Sequence, residues 1–593
     1  MTEQDTPIAV GIDLGTTNCA LAFATGASDT PQPLQVPQVI AAGEVTPRAL
    51  LPSFLYFPSD AEFGAGALAL PWYPGARDVV GTFARAQGAA TPARLVSSAK
   101  SWLSYGGVDR RGEILPWDAP DEVPKVSPLQ ASARYLAHLR AAWDEEHPDH
   151  PLDEQDVVLT VPASFDAVAR ELTTEAATLA GFDEAPRLLE EPQAAMYDWL
   201  AQRGNAWRQE VAVGDVILVV DVGGGTTDLS LIAVREVEGE LQLERIAVGD
   251  HILLGGDNMD LALAHTVRAR LEDAGKSIDD WQMRALTHAC RAGKEALLSD
   301  ESEDSYPLAI AGRGSKLIGS TVRTELTAED VQRVLLDGFF PVVESSARPQ
   351  VPRRVGLTAI GLPYASDAAM TRHLAAFLGR TADTSDDART FAHPTAILFN
   401  GGVTRSPRVR ERICEVLGAW TRAEGGETPR VLEGTDAELA VCRGAAYYAQ
   451  SRRHGGLRIR GGTAQAHYIG IERAELAVPG IPPRVDAVCV APFGMEEGTE
   501  VELDQVFGLV LGEPVSFQFF GSAGREDDTV GAVVKPSDVT ELSPLETTLE
   551  GTDGEVVHVK LHARVTEVGT LELSAVEDGS SRRWKLSFNV RVE

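Results

Sequence analysis

A short pattern that occurs twice constrains this chain more than any other feature. Gly11-Ile-Asp-Leu-Gly-Thr-Thr-Asn18 returns, roughly 200 residues later, as Asp221-Val-Gly-Gly-Gly-Thr-Thr-Asp228. Each copy follows an apolar run and precedes another, so each reads as strand, Gly-Thr turn, strand. Such a hairpin presents bare backbone N–H groups and Thr hydroxyls that can approach phosphate oxygens closely. Two copies can grip one triphosphate from opposite sides. Asp13, Asp221 and Asp228 beside a polyphosphate would repel it and be driven towards protonation. A hydrated Mg²⁺ resolves that conflict. A lone Gly-Thr turn is ordinarily only a turn; duplication with acidic residues on both copies points to a nucleotide.

Around the repeat, from Ile8 to about Gln450, short β-rich runs alternate with helical patterns, the signature of α/β architecture. Gln155 to Val161 and Val216 to Asp221 read as buried strands. Leu129, Ala133, Leu136, Leu139 and Trp143 recur at helical spacing, which predicts a helix with one face against a sheet. Ala437 to Gln450 reads similarly. Ser451 to Thr463 is rich in Gly and Arg, has no period and reads as an exposed connection. Beyond it the period becomes two: Val557, Val559, Leu561, Ala563 and Val565 are apolar, with His558, Lys560, His562 and Arg564 between them. Trp584, Leu586, Phe588, Val590 and Val592 repeat the alternation, so an all-β module is expected to close the chain.

Composition narrows the partners. The 593 residues exceed what one core organises, so at least two domains are expected. Lys and Arg number 53 against 87 Asp and Glu, a formal net charge of -34, which argues against nucleic acid and against an anionic membrane surface. Cys19, Cys290, Cys414, Cys442 and Cys489 are scattered without C-x-x-C spacing, which fits a reducing cytoplasm. The acidic N-terminus is unlike a signal peptide, and no apolar run approaches membrane-spanning length.

The two octets resemble the phosphate loops of the actin, hexokinase and Hsp70 superfamily, and their wording is closest to Hsp70. Val161-Pro-Ala-Ser-Phe165, Glu191-Pro-Gln-Ala-Ala195, Leu254-Gly-Gly-Asp-Asn258, Asn400-Gly-Gly-Val-Thr-Arg405 and Gly444-Ala-Ala446 follow in that family's order. The resemblance implies an actin-like, two-lobed α/β ATPase domain over residues 1–450, a linker at 451–472, and a β-sandwich-like peptide-binding domain over 473–593. It also implies ATP/ADP with Mg²⁺, and K⁺ in addition, as cofactors. Gly15, Thr16, Thr17 and Asn18 would meet the phosphates from one side, and Gly223, Gly224, Gly225, Thr226 and Thr227 from the other. Asp13 and Asp221, with Glu191 beside them, would hold the waters around the metal. Lys100 matches the family's catalytic lysine, and Asp228, with Thr226, would orient the attacking water. The plainer reading of Lys100 is a solvated helix lysine. Gly255 and Gly256, Lys294, Gly401, Gly402 and Arg405 fall at nucleoside-contacting positions. Arg170 and Pro192 resemble the pair that links nucleotide state to the second domain.

Several positions depart from the family pattern. Arg291 stands where an acidic residue is usual, Glu295 replaces a second adenine-stacking arginine, and Val403 replaces a serine. Weaker discrimination between adenine and guanine is expected. Residues 351–391 have no counterpart in standard Hsp70; there Met370, His373 and Phe377, at helical spacing, read as packing residues. Leu457-Arg-Ile-Arg-Gly-Gly-Thr463 lacks the apolar linker, and the sequence ends in a strand-like alternation where the family carries a helical lid, so fast peptide exchange is expected. Three functions stay open: a chaperone binding unfolded or extended polypeptides, with a J-domain-type co-chaperone; a nucleotide-switched scaffold serving one dedicated protein partner; and a small-molecule kinase.

Overall fold

The computed structural model describes residues 7–26, 29–117, 119–237, 240–299, 303–310, 321–350, 362, 364–381, 389–454, 459–460, 466–473, 483–495, 499–522, 525, 527–565, 571–580 and 582–586. They form two compact units, Met1–Gln242 with Ala247–Arg458, and Leu243–Ile246 with Ile459–Glu593.

In the first unit one sheet is built on β1 (Ala9–Leu14), whose apolar residues are buried on both faces, and on its hairpin partner β2 (Asn18–Ala24). Helix α1 (Ala99–Ser104) carries Lys100. Helix α2 (Pro128–Glu146) starts at a capping box in which Ser127 and Gln130 satisfy each other's backbone N–H at 3.0 Å, with Pro128 preset for the first turn. Its stripe of Leu129, Leu136, Leu139 and Trp143 is buried, as the spacing predicts. Strand β3 (Asp156–Val161) runs parallel to β1, then come α3 (Ala167–Leu179), β4 (Arg187–Glu190) and α4 (Glu191–Arg203). The order is β4-β3-β1-β2, with two short strands on β2.

A second sheet repeats the plan. Strands β5 (Val216–Val222) and β6 (Thr227–Val237) form the hairpin of the second octet, followed by β7 (Glu240–Val248), α5 (Gly256–Asp273) and α6 (Asp280–Leu297). Helix α7 (Met370–Arg380) buries Met370 and Phe377, while His373 Nε2 lies 3.0 Å from the Asp367 carbonyl oxygen. The packing reading of this helix therefore fits; residues 351–361, 363 and 382–388 of the expected insertion lie outside the described residues. Strands β8 (Ala396–Asn400) and β9 (Arg430–Val431) complete one flank of the sheet. Helix α8 (Ala440–His454) returns to the first sheet and packs on β1, β2 and α4. There Arg443 clamps the fully buried Asp198 through two bonds of 2.9 Å. Burial of that many backbone groups on both sheet faces is what near-continuous apolar strands require.

The connection differs from the sequence reading at both ends. Helix α8 runs to His454, because Gln450 and Ser451 are still buried. Ile459–Arg460 forms β10, paired in parallel with Leu243–Glu244 of β7, a pairing that lies within the second unit. A two-residue strand is held by backbone bonds alone, so no periodicity announces it.

In the second unit the strands are β11 (Ala466–Glu472), β12 (Val485–Ala491), β13 (Glu500–Val510), β14 (Pro514–Ser522), β15 (Val533–Val534), β16 (Thr540–Thr548), β17 (Val556–Val565), β18 (Leu571–Glu577) and β19 (Arg583–Leu586). One sheet has the order β15-β12-β11-β14-β16 and the other β13-β17-β18-β19. Ile469, Val488 and Phe519 from the first meet Leu503, Val559, Leu561, Leu573 and Trp584 from the second in a single core. Two antiparallel sheets packed face to face require the period-two pattern read in β17. Among the described residues this unit's only helical element is a single 3-10 turn at Pro536–Asp538. Phe588, Val590 and Val592 lie outside the described residues.

Candidate nucleotide-binding site

The two hairpin turns face each other across a cleft of about 1050 Å³. Asp13, Gly15, Thr16, Thr17 and Asn18 line it from the first sheet, and Asp221, Gly223, Gly224 and Thr226 from the second. The approach is close: a Cβ on Gly224 would lie 1.8 Å from Thr17 Oγ1. Of the remaining second-loop residues, Gly225 packs on Thr16, and Thr227 does not face the cleft. Its buried hydroxyl donates to the Leu254 carbonyl at 2.7 Å, so Thr227 fixes the turn and is not free to bind a ligand.

Buried charge concentrates at this end. Lys100 is buried, which excludes the solvated-helix reading, and its Nζ donates to Glu191 Oε1. Ser98, two residues before it, has φ 55°, the sole positive φ outside glycine among the described residues, a strained turn that aims α1 inward. Burial pushes Glu191 up to about 8 against the pull of Lys100, with Asp13, Asp221 and Asp228 adding repulsion. Burial likewise carries Asp221 to about 7, although Asn400 Nδ2 donates to its Oδ2 at 2.7 Å. Asp13 is also raised by burial, against Lys100 and a bond from Thr160. For Lys100 burial opposes the charge, but Glu191 and Asp13 outweigh it and hold the ammonium above its ordinary pKa.

Four buried carboxylates, Asp13, Glu191, Asp221 and Asp228, thus share one lysine. They cannot all ionise without further positive charge, which is the donor set a divalent cation fits. Among the described residues no three acidic, His or Cys side chains converge closely enough to ligate an ion directly. These carboxylates would therefore reach an ion through its waters, the habit of Mg²⁺. Thr17 Oγ1 and Asn400 Oδ1 are buried without a hydrogen-bond partner, leaving capacity that a bound nucleotide can take up. Asn400 was legible only as part of its motif; its bond to Asp221 joins residues 179 apart in sequence.

At the other end Gly256, Lys294, Gly401, Gly402 and Arg405 line the cleft, and Gly255 stands behind Gly256 with its Cα packed against the second loop. Gly401 adopts φ 84°, and a Cβ there would sit 2.5 Å from Asp221 Oδ1, so only glycine fits. Lys294 Nζ donates to the Gly256 carbonyl at 3.0 Å and pairs with Asp260 at 2.7 Å. Arg291 is satisfied by Asp260 at 2.8 Å and by Asp257. Arg405, with 58% of its side chain exposed, pairs with Glu438 at 2.6 Å. Glu295 and Val403 line the cleft as well. Arg170 is buried on Glu190 at 2.9 Å, immediately before Glu191 and Pro192 open α4.

Among the described residues no helix is long and apolar enough to cross a membrane. Comparison with known proteins gives a consistent answer. The family model for Hsp70 protein matches residues 9–343, which hold both phosphate loops, Lys100 and Glu191. A Bordetella petrii protein named chaperone protein HscA homolog is 33% identical over 340 residues, covering 56% of this chain and 48% of the relative. Its namesake from Burkholderia lata is 30% identical over 452 residues, covering 74% and 58%. A third, from Azotobacter vinelandii, is 33% identical over 318 residues, covering 51% and 43%. The chain spans about half the length of the curated relatives it matches. With its paired phosphate loops in place and more than half its length matched by the family model, the chain belongs to the Hsp70 family.

Proposed function

We propose that this protein is an ATP-dependent chaperone of the Hsp70 type, hydrolysing ATP in the cleft and binding extended polypeptide segments through its β-rich unit. The observation that carries the reading is the phosphate end of the cleft: two facing Gly-Thr turns with Lys100, Glu191, Asp13 and Asp221 between them. Asp13, Asp221 and Glu191 would hold hydrated Mg²⁺, which, when bound, draws charge from the β- and γ-phosphate oxygens. The Thr16 and Thr17 hydroxyls and loop N–H groups receive phosphate oxygens. Lys100, braced by Glu191, points its ammonium where charge develops, and Asp228 orients the attacking water. The site resembles one that positions water without a strong dedicated base, so slow turnover is expected.

Family membership favours this over the small-molecule kinase. Polypeptide recognition would use an apolar pocket plus backbone hydrogen bonds on a strand edge, and the relatives named chaperone protein HscA homolog point the same way. A J-domain-type co-chaperone and a cytoplasmic location belong to the same proposal. A pull-down in ADP and in ATP tests it: many unfolded proteins released by ATP support a chaperone, whereas one native protein recovered in both states supports a dedicated scaffold.

A further inference from the structure

The carbonyls of the first phosphate turn are held from outside. Between β1 and β2 the chain passes through Gly15, Thr16 and Thr17, and one distant residue, Ser53, meets this turn twice. Its backbone N–H donates to the Thr17 carbonyl at 2.9 Å, and its Oγ donates to the Gly15 carbonyl at 2.7 Å. A carbonyl oxygen only accepts, so two oxygens at that separation place the hydroxyl proton between them. Ser53 is 2% exposed and is not among the residues that line the cleft. It follows the two-residue strand Leu51–Pro52, whose antiparallel pairing with Asn18 and Cys19 sets it beside the turn.

In a trans peptide the carbonyl and the next N–H point to opposite sides. With the Gly15 carbonyl held on Ser53, away from the cleft, the Thr16 N–H is turned towards the space that Gly15 and Thr16 line. Among the described residues that N–H has no hydrogen-bond partner, so it is a free donor where phosphate oxygens must arrive. The turn cannot dispense with Gly15, because a Cβ there would sit 2.1 Å from the Asn18 carbonyl oxygen. Glycine, however, is the residue whose peptide reorients most easily. A reoriented Gly15–Thr16 peptide would present its oxygen to the cleft and repel the phosphate that its N–H would bind. Close approach therefore requires glycine, and glycine requires an external pin.

We propose that Ser53 is a positioning residue for the triphosphate: its hydroxyl locks the Gly15–Thr16 peptide with the N–H facing the cleft. The proposal rests on the nucleotide-binding reading above. Its effect falls on the phosphates, since the residues at the nucleoside end, Lys294, Gly401, Gly402 and Arg405, belong to other segments.

The test is calorimetric titration of wild type and Ser53→Ala with Mg·ATP and, separately, with adenosine, which carries the nucleoside without phosphate. Ser53→Ala weakens Mg·ATP binding on the order of tenfold, the scale of one buried hydrogen bond, and leaves adenosine binding unchanged. Unchanged Mg·ATP affinity overturns the proposal, and so does an adenosine affinity that falls as far, which would make Ser53 a support of the fold at large. A second readout needs no nucleotide: ¹³C-carbonyl glycine with ¹⁵N-threonine labelling selects the Gly15–Thr16 peptide by NMR. In the nucleotide-free protein Ser53→Ala must move the Gly15 carbonyl resonance upfield, the direction of a lost hydrogen bond, and an unmoved resonance overturns the proposal. Adding Mg·ATP to wild type must move the Thr16 amide proton downfield as it bonds to phosphate, and an amide that stays put overturns the proposal as well. Wild-type protein that binds no ATP in the calorimeter would instead overturn the proposed function, with the Gly15 carbonyl still deciding on the Ser53 pin.

Discussion

The two ends of the cleft are built on different principles. At the phosphate end every charge is buried and under-compensated: four carboxylates share Lys100, and Asp221 and Glu191 are carried up to about 7 and 8. At the nucleoside end Arg291 is paired with Asp257 and Asp260, Lys294 with Asp260, and Arg405 with Glu438. An under-compensated site gains most from its ligand, whereas a self-satisfied one must break pairs to bind. Affinity and chemistry should therefore reside at the phosphate end, with the base read weakly.

Substitutions can break that contrast, and the largest effect belongs to Lys100. Lys100→Ala should lower single-turnover hydrolysis by roughly a hundredfold or more, the scale of losing one preorganised charge at a developing anion, while ATP still binds. Hydrolysis at the wild-type rate would remove Lys100 from the mechanism. Asp221→Ala should weaken Mg·ATP binding by about ten- to a hundredfold, as losses of supporting metal contacts do; calorimetry returning the wild-type affinity would remove its metal-side role. At the nucleoside end the effects shrink. Glu295→Arg should strengthen ATP binding about fivefold, one exposed cation–π contact, and wild type should separate ATP from GTP poorly. A wide gap between the nucleotides that this substitution leaves unchanged would mean that another residue recognises the base. Arg405→Ala, removing an exposed side chain already paired with Glu438, should cost only about threefold; a larger loss would mean that Arg405 abandons Glu438 for the ligand.

Legibility in the sequence follows the same division. The duplicated octets, the strands at Asp156–Val161 and Val216–Val222 and the helix at Pro128–Glu146 follow from local pattern, because burial on a sheet imposes period and glycine marks close approach. What local pattern cannot carry is pairing across the chain. Lys100 meets Glu191 from 91 positions away, and Ser53 meets Gly15 from 38. Arg291 was legible as a departure in type, but its satisfaction by Asp257 and Asp260 required the packing of α5 on α6. Thr227 shares its motif with Thr226, yet alternation along β6 turns its hydroxyl to the Leu254 carbonyl instead.

The most direct test of the under-compensated phosphate end is calorimetric titration of the wild-type protein with ATP, once in Mg²⁺ and once in a chelator. Four carboxylates facing a triphosphate with one lysine should bind it tightly only with the divalent ion, and chelation should weaken binding on the order of a hundredfold. Equal affinity in the two titrations would contradict the charge balance inferred for Asp13, Glu191, Asp221 and Asp228, and with it the placement of the phosphates between the two loops.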